Sequence, residues 1–366
     1  MHRHLARRTL SVAALAVGLG TAFATTASAE GHHSPTPAGH VYEATNASNG
    51  NAIQVFDRGD DGRLTAGALV ATGGLGDGAS LHSQGGVVRQ GNLLFAVNAR
   101  SATVSALQIT DHGLVLRDTV ATLGTLPVSV TARDGVGYVV NQGSDTITGF
   151  RYASDGDLSP LPGSTRALTP NPAGGITDAA QIQFTPDGSA LLVTEKASNT
   201  LDTFAVRGGY AGTAVPHASA GTTPYGFDLD ARGHAIVSEA ASGTASSYSV
   251  GRRGFGVISP AVSDTQAAAC WLVVAHEYAY AVNAASGTVS SYGIAKDGSL
   301  TLKDAVAANT GAGGTDAALS ADQRYLYVRM GGGVVSSWSV ARDGSLAALG
   351  TTQGAPAFGT AGLAAS

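Results

Sequence analysis

The sequence predicts an all-β protein, a seven-bladed β-propeller of four-stranded antiparallel blades, from three observations. A motif returns seven times between Val41 and Val340: an apolar strand, a polar turn, a Ser/Thr-rich strand and a tight glycine turn. Successive motif centres are 52, 43, 54, 44, 44 and 46 residues apart, which is typical of a propeller blade rather than a helical repeat. Glycine supplies 50 of the 366 residues, consistent with short strands joined by tight turns. The centres are Asn46, Asn98, Asn141, Glu195, Glu239, Asn283 and Arg329.

The second copy shows how one blade arises. Leu93–Asn98 is strongly apolar, and residues 103–109 alternate with the two-residue period of a half-buried strand. With the segment before it and the segment after it, this copy supplies four strands, which we letter A to D from the hub outwards. The turns between strands C and D carry Asp-Gly pairs suited to hairpins at Asp61-Gly62, Asp155-Gly156, Asp297-Gly298 and Asp343-Gly344.

The two ends of the repeat region indicate how the ring closes. The first copy lacks a strand A, whereas residues 354–365 follow the last copy and resemble the strand A segment at residues 223–229. We therefore expect the C-terminal strand to complete blade 1, which removes the exposed edges of an open array.

The N-terminal residues read as an export signal. Residues 1–29 combine Arg3, Arg7 and Arg8 with an apolar stretch and the cleavage site Ala27-Ser28-Ala29. Residues 30–38 are predicted to be a flexible leader, and residues 39–366 the propeller. We expect a secreted protein, exported by the general pathway or, because of Arg7-Arg8, by the twin-arginine pathway.

Charge and composition narrow the partners. Removal of residues 1–29 leaves 18 basic and 26 acidic residues, a net charge of −8, which disfavours nucleic acid. The apolar stretch of the signal is shorter than the roughly 20 residues that span a bilayer, so we expect no membrane insertion. Cys270 is the single cysteine and cannot form an internal disulfide. We expect a monomer.

Irregular positions predict the functional face. The loops from strand D to the next strand A share one face with the B-to-C hairpins, and residues there differ from copy to copy. Glu195 and Glu239 stand where other copies have Asn, so we predict them, with His82, as catalytic groups in an axial funnel. Three alternatives stay open: the amides support hairpins, Glu195-Lys196 pairs with a neighbouring blade, and Cys270 packs rather than reacts.

Other residues on this face have predicted binding roles. The substrate-binding candidates are Gln84, Asn98, Gln181, Tyr225, Trp271 and Arg329. Direct general-base catalysis needs no cofactor, and a divalent cation held by Asp316 and Asn283 is the alternative. The sequence has no serine-hydrolase elbow, zinc-protease helix, phosphate loop or paired-cysteine motif.

Short segments along the chain resemble one family, the lactonase family of seven-bladed β-propellers, in its secreted branch. That family is similar to propeller-type 6-phosphogluconolactonase and to carboxymuconate cyclase. The resemblance covers residues 41–363 and is carried by Ser83-Gln84-Gly85, Gln181, Phe184-Thr185-Pro186-Asp187-Gly188, Val193-Thr194-Glu195-Lys196, Pro224-Tyr225-Gly226-Phe227, Ser238-Glu239-Ala240 and Ala269-Cys270-Trp271.

The resemblance implies hydrolysis, or the reverse closure, of a sugar-acid or muconate-type lactone in the axial funnel. Lys196 and Arg329 are the main basic residues of the predicted face, so a non-phosphorylated lactone is expected. The partner would be a small lactone or sugar acid. Because a propeller hosts unrelated functions, the second hypothesis is a non-catalytic extracellular propeller that binds a glycan, a peptide or a cell-envelope component.

Overall fold

A computed structural model describes residues 37–252, 254–311, 313–356 and 362–366. The predicted signal peptide, and the leader up to Thr36, lie outside the described residues. The described chain forms seven antiparallel sheets in a ring, which confirms the predicted seven-bladed β-propeller.

The strands are numbered in chain order and given for each blade from the hub outwards. Blade 1 contains β30 (Leu363–Ala365), β1 (Gly39–Ala44), β2 (Ala52–Arg58) and β3 (Leu64–Ala71). Blade 2 contains β4 (Val87–Gln90), β5 (Leu93–Asn98), β6 (Thr103–Thr110) and β7 (Gly113–Ala121). Blade 3 contains β8 (Pro127–Arg133), β9 (Val136–Asn141), β10 (Thr146–Tyr152) and a split outer strand, β11 (Leu158–Pro160) and β12 (Arg166–Ala167).

Blade 4 likewise has a split outer strand. It contains β13 (Ala179–Phe184), β14 (Ala190–Glu195), β15 (Thr200–Arg207), β16 (Tyr210–Ala211) and β17 (Val215–Ala218). Blade 5 contains β18 (Pro224–Leu229), β19 (His234–Glu239), β20 (Thr244–Ser249) and β21 (Gly256–Ser263). Blade 6 contains β22 (Ala269–Ala275), β23 (Tyr278–Asn283), β24 (Thr288–Ile294) and β25 (Leu300–Asn309). Blade 7 contains β26 (Gly314–Leu319), β27 (Tyr325–Met330), β28 (Val334–Val340) and β29 (Leu346–Gln353).

Helical structure is confined to short turns in the part of the chain that the structure describes. Gln142–Ser144 and Gly331–Gly333 each form three residues of 3₁₀-helix. Among these described segments there is accordingly no helix with the length and apolarity needed to cross a membrane.

The C-terminal strand closes the ring, as the sequence predicts. Strand β30 pairs antiparallel with β1, with Leu363 opposite Glu43 and Ala365 opposite Val41. Beyond the paired residues, the Ser366 amide donates to the His40 carbonyl at 2.8 Å. Leu363 is buried, so the closing strand also fills the core between blades 1 and 7.

A buried ion pair joins the same two blades. Arg329 Nε lies 2.6 Å from Glu43 Oε1, and both side chains are fully buried. Arg329 also donates from Nη1 to Thr315 Oγ1 at 2.8 Å. Burial raises the pKa of Glu43 to about 7 even though the guanidinium of Arg329 lowers it. The last and first blades are thus held by charge as well as by strand pairing.

The register corrects two of the proposed motif centres. Asn283 lies opposite Ala269 in blade 6, and the corresponding pair in blade 7 is Met330 and Gly314, one residue beyond Arg329. In blade 1 the residue at the corresponding position is Thr45 rather than Asn46, because Ala52 starts strand C as Thr103 does in blade 2. Arg329 therefore faces the next blade and does not replace a hairpin amide.

We predict that deletion of residues 362–366 lowers the free energy of unfolding by about 3 kcal/mol or more, because one buried leucine and several backbone hydrogen bonds are lost. Urea denaturation measures the change. The matched control is Ser366→Ala, which removes the two hydrogen bonds between the Ser366 hydroxyl and the His40 backbone and should cost about 1 kcal/mol. A truncated chain as stable as the intact one would contradict ring closure by β30.

Candidate functional site

The inner strands leave backbone hydrogen-bonding groups without strand partners at the hub. Each strand A pairs with strand B on one side only, so its other edge points into the hub with unpaired backbone groups. In five places a polar side chain of one blade accepts a hydrogen bond from the strand A amide of the next blade. These pairs are Ser129 with Ile182, Thr131 with Phe184, Gln181 with Phe227, Asp228 with Val274, and Asp316 with Leu363, at 2.8–3.2 Å.

The register arranges these side chains in two layers along the axis. Ser129, Gln181 and Asp316 occupy equivalent positions, opposite Val140, Thr194 and Arg329 respectively, and form the first layer. Thr131 and Gln183 follow Ser129 and Gln181 by two residues, and Asp228 has the equivalent position in blade 5. These three residues form the second layer. The layers are roughly 7 Å apart, since a strand rises about 3.3 Å per residue.

A partition of side chains crosses the hub at the level of the first layer. Gln84 of blade 2 reaches blade 6, where it donates to the Leu272 carbonyl at 2.7 Å and accepts from the Leu272 amide at 2.9 Å. In the opposite direction Trp271 Nε1 donates to the Ser83 carbonyl at 2.9 Å. Gly226 is required here, because a Cβ atom at that position would overlap Gln84 Oε1 and lie 2.7 Å from the backbone carbonyl oxygen of Cys270. The partition closes the hub toward the D-to-A loops.

An axial cavity of about 420 Å³ lies on the other side of the partition. Its inner end is lined by the buried side chains of Gln84, Gln181 and Asp316, and its outer end by Arg89 and Arg133. Because strands A all run in the same direction, the outer end lies at the A-to-B turns. The hub cavity thus opens on the face with the Asp-Gly turns, opposite the face that the sequence favoured.

Two aspartates make this cavity chemically distinct. Asp316 accepts hydrogen bonds from the Ala317 amide at 2.8 Å and the Leu363 amide at 3.0 Å. Burial nevertheless raises the pKa of Asp316 to about 7, against the opposing effects of these amides and of Arg329. Asp228 is partly exposed in the cavity, and burial raises its pKa as well. Both carboxyl groups can therefore exchange protons closer to neutral pH than ordinary aspartates.

The predicted face carries a separate, tightly packed cluster. Lys196 Nζ lies 3.2 Å from Asp178 Oδ1, donates to the His82 carbonyl and lies 4.9 Å from the centre of the Tyr225 ring. Tyr225 and Trp271 make an edge-to-face contact with ring centres 5.3 Å apart. Burial lowers the pKa of Lys196 and of His82. The structure brings these predicted residues together on the D-to-A side of the partition, away from the axial cavity.

Glu239 lies in a network of donors between blades 4 and 5. Its Oε1 accepts from the Gly221 amide at 2.8 Å, and its Oε2 accepts from Thr244 at 2.6 Å and Ser246 at 2.9 Å. The Ser219 and Tyr248 hydroxyls also approach Oε1. The Glu239 carboxylate thus occupies the position that Asn has in other copies. Here the Thr and Ser hydroxyls donate to it, whereas Asn donates to the equivalent hydroxyls. Its role as a catalytic base stays a prediction.

Glu195 is also fully buried, at the corresponding position of blade 4. Its Oε2 accepts from the Ser198 hydroxyl at 2.8 Å. Burial, and next the neighbouring Asp202, raise the pKa of Glu195 to about 9. A carboxyl group with this pKa is protonated at neutral pH and cannot take a proton from water there. Its catalytic role also stays a prediction.

The amide candidates support hairpins. Asn98 Nδ2 donates to Thr103 and Ser105, and Asn283 Nδ2 donates to Thr288 and Ser290, at 2.8–3.1 Å. Asn283 bonds to the hairpin that follows β23, whereas Asp316 in the hub wall bonds to the closing strand. Their role as cation ligands stays a prediction. In the described segments no group of three His, Cys, Asp or Glu side chains fits a metal ion.

Sequence reasoning missed the residues that shape the open end of the cavity. These are Asp228, Gln183, Thr131, Arg89 and Arg133. They follow the start of each strand A by several residues, and only the starts were considered. The sequence does carry a signal for these residues. Alternate residues of a strand A face the hub, so polar residues at such positions indicate the lining of the hub.

We predict that Glu195→Gln becomes increasingly stabilising, relative to the wild type, as the pH rises. The folded pKa of Glu195 lies above the unfolded value, so its contribution to stability falls as pH rises through about 9. A neutral glutamine avoids this loss and should gain at least about 1 kcal/mol between pH 5 and pH 9, measured by urea denaturation. The control is Glu277→Gln at an exposed turn. A pH-independent difference would contradict the assignment of a protonated Glu195.

Comparison with known proteins shows which families and structures the chain is similar to. Residues 128–273 match the family model described as Lactonase, 7-bladed beta-propeller. A protein of Lactobacillus plantarum shares 18% identity at a TM-score of 0.71, over 90% of this chain and 99% of that chain. A candidate 6-phosphogluconolactonase of Bacteroides fragilis shares 18% identity at a TM-score of 0.69, over 91% and 99%.

The periplasmic gluconolactonase of Pseudomonas aeruginosa shares 15% identity at a TM-score of 0.69, over 87% of this chain and 97% of that chain. At such identities these structures show the fold alone. No curated protein sequence matches the chain. The chain is a seven-bladed β-propeller that resembles the lactonase family, and the match over residues 128–273 confirms the resemblance predicted from the sequence.

Proposed function

We propose that this protein hydrolyses a small lactone in the axial cavity, with Asp316 as the general base. The observation that carries the proposal is a carboxyl group with a pKa of about 7 in the wall of an open hub cavity. The lactonase-type match supports the reaction class. A carboxylate with this pKa can take a proton from water near neutral pH and is regenerated readily.

The cavity offers positioning groups as well as a base. Gln183 Nε2 lies 3.3 Å from Asp228 Oδ1, and Arg133 and Arg89 line the outer end. Amide and guanidinium groups can stabilise the oxyanion that develops when water attacks the lactone carbonyl. The two arginines also attract the carboxylate of the product. Gln84 already bonds to backbone across the hub, and Gln181 bonds to backbone of the next blade, so substrate would meet them as parts of the wall.

The proposed substrate is a non-phosphorylated sugar-acid or muconate-type lactone. A cavity of about 420 Å³ accommodates a single sugar-sized ring. Asp316 lies in the cavity wall, and its ionised carboxylate would repel a phosphate placed beside it. Two arginines at the mouth can accept one carboxylate. These features favour a small neutral or singly charged lactone.

A binding function without catalysis is the second candidate. Its support is that Glu239 and the hub amides of Gln84 and Gln181 all have protein partners. A propeller of this kind would hold a glycan, a peptide or an envelope component at the same mouth. The arginines and the second-layer polar groups would then provide recognition alone.

We expect the enzyme to turn over D-glucono-1,5-lactone or a muconolactone in a pH-indicator assay, at a rate that rises with pH through about 7 as Asp316 loses its proton. Asp316→Asn should lower kcat/KM by about 100-fold and remove this rise. Asp297→Asn, in an exposed turn, serves as the control. Full activity of Asp316→Asn would refute the base, and ligand capture without turnover would favour the binding function.

We further propose that the mature protein is exported and begins at Glu30. The basic, apolar and small-residue segments before Glu30 support this proposal. N-terminal sequencing of protein from the culture medium of an expressing bacterium should give the sequence from Glu30. Replacement of Arg7 and Arg8 by Lys would block export by the twin-arginine route and spare the general route. Retention of residues 1–29 in the secreted protein would contradict cleavage.

A further inference from the structure

We propose that Asp228 is a second catalytic carboxyl group, which protonates the ring oxygen as it leaves while Asp316 takes the proton from the attacking water. This inference rests on the proposed lactone hydrolysis. The roles of acid and base thus belong to two different residues, and the sequence analysis did not single out Asp228.

The two carboxyl groups share one cavity at different depths. Asp316 belongs to the first layer, beside the partition, and Asp228 belongs to the second layer, nearer the mouth. The layers are roughly 7 Å apart along the axis. A lactone ring between them can present its carbonyl carbon to a water held by one carboxyl group and its ring oxygen to the other.

The hub does not need charged residues for its architecture. Ser129, Thr131 and Gln181 accept hydrogen bonds from the next blade with neutral oxygens. Asp228 and Asp316 meet the same demand with carboxyl groups, whose burial is costly when they are ionised. Both aspartates also line the cavity. The extra cost is explained if these two groups exchange protons with a bound substrate.

Asp228 is held in a fixed orientation. Its Oδ1 accepts from the Leu229 amide at 2.8 Å and faces Gln183 Nε2 at 3.3 Å, and Gln183 in turn accepts from Gln181 at 3.2 Å. Within the described chain, its Oδ2 accepts one hydrogen bond, from the Val274 amide at 2.9 Å. Oδ2 therefore keeps a lone pair that can carry the proton.

The surroundings favour the protonated form of Asp228. Burial raises its pKa, and the hydrogen bonds from Val274, Leu229 and Gln183 lower it in part. Three other charged groups line the cavity: Arg89 on β4, Arg133 on β8 and Asp316 on β26. An ionised Asp316 further disfavours a second negative charge, whereas the arginines at the mouth oppose this effect. Burial thus acts in the same direction on both carboxyl groups of the cavity.

The chemical step is balanced with water as the only co-reactant. The water oxygen bonds to the lactone carbonyl carbon, and one water proton passes to the Asp316 carboxylate. The bond between that carbon and the ring oxygen then breaks as the Asp228 carboxylic acid gives its proton to the ring oxygen. Transfer of a proton from Asp316 to Asp228 through solvent restores both groups, and the product is the open hydroxy acid.

The dependence on the leaving group provides the sharpest test. D-Glucono-1,5-lactone releases an alcohol oxygen that needs a proton, whereas dihydrocoumarin releases a phenol oxygen, which has a pKa of about 10 and leaves without one. Asp228→Asn should lower kcat/KM by about 100-fold for the first substrate and by less than about 5-fold for the second. Asp297→Asn, outside the cavity, should change neither.

A second variant keeps the test valid if Asp228→Asn folds poorly, which urea denaturation will reveal. Gln183→Leu removes a hydrogen bond that lowers the pKa of Asp228, so the decline of activity at alkaline pH should move to higher pH. The decline should vanish in Asp228→Asn. Equal losses of kcat/KM on both substrates in Asp228→Asn would overturn the role of Asp228 but not the proposed function. An alkaline decline of activity at the same pH in Gln183→Leu as in the wild type would do the same. A wild-type protein inactive on every lactone would overturn the proposed function as well.

Discussion

The unpaired inner edge of each strand A is the constraint on which the hub depends. A closed ring protects the outer architecture, but seven inner strands still point backbone amides at one axis, where water is limited and a neighbouring strand is too far away to pair. Polar side chains of the preceding blade meet this demand at Ser129, Thr131, Gln181, Asp228 and Asp316. The same requirement therefore fixes the lining of the cavity. The positions that bond to the strand A amides are therefore also the positions that line the proposed active site.

Ring closure and the candidate chemistry meet at blade 7. Asp316 accepts a hydrogen bond from Leu363 of the closing strand, and the buried pair of Arg329 and Glu43 lies at the same junction. Burial raises the pKa of Asp316, while Arg329 and the Leu363 amide of the closing strand lower it, so residues at the closure contribute to the proton affinity of the proposed base. The partition formed by Gln84 and Trp271 adds a crossing bond between blades 2 and 6.

The fold was predictable from the sequence because each blade repeats the same alternation of apolar strands and turns. The missing first strand A also identified the closing strand correctly. Residue-level inferences were weaker, since a break in a repeat need not signal chemistry. Glu239 stands where other copies have Asn, and the Thr244 and Ser246 hydroxyls donate to it instead of accepting. In blade 7 the Gly331–Gly333 turn follows Met330, so Met330 and not Arg329 occupies the repeated position. Asp228 escaped notice because only the folded register shows which residues of a strand A face the axis.

The location of the ligand tests the central claim most directly. A crystal structure of the protein soaked with D-gluconate, the open product of a sugar lactone, would show where such a molecule binds. We predict density in the axial cavity, between Asp228 and Asp316 and open toward Arg133. Density on the D-to-A face beside Lys196 and His82, with the axial cavity filled by solvent alone, would contradict the account.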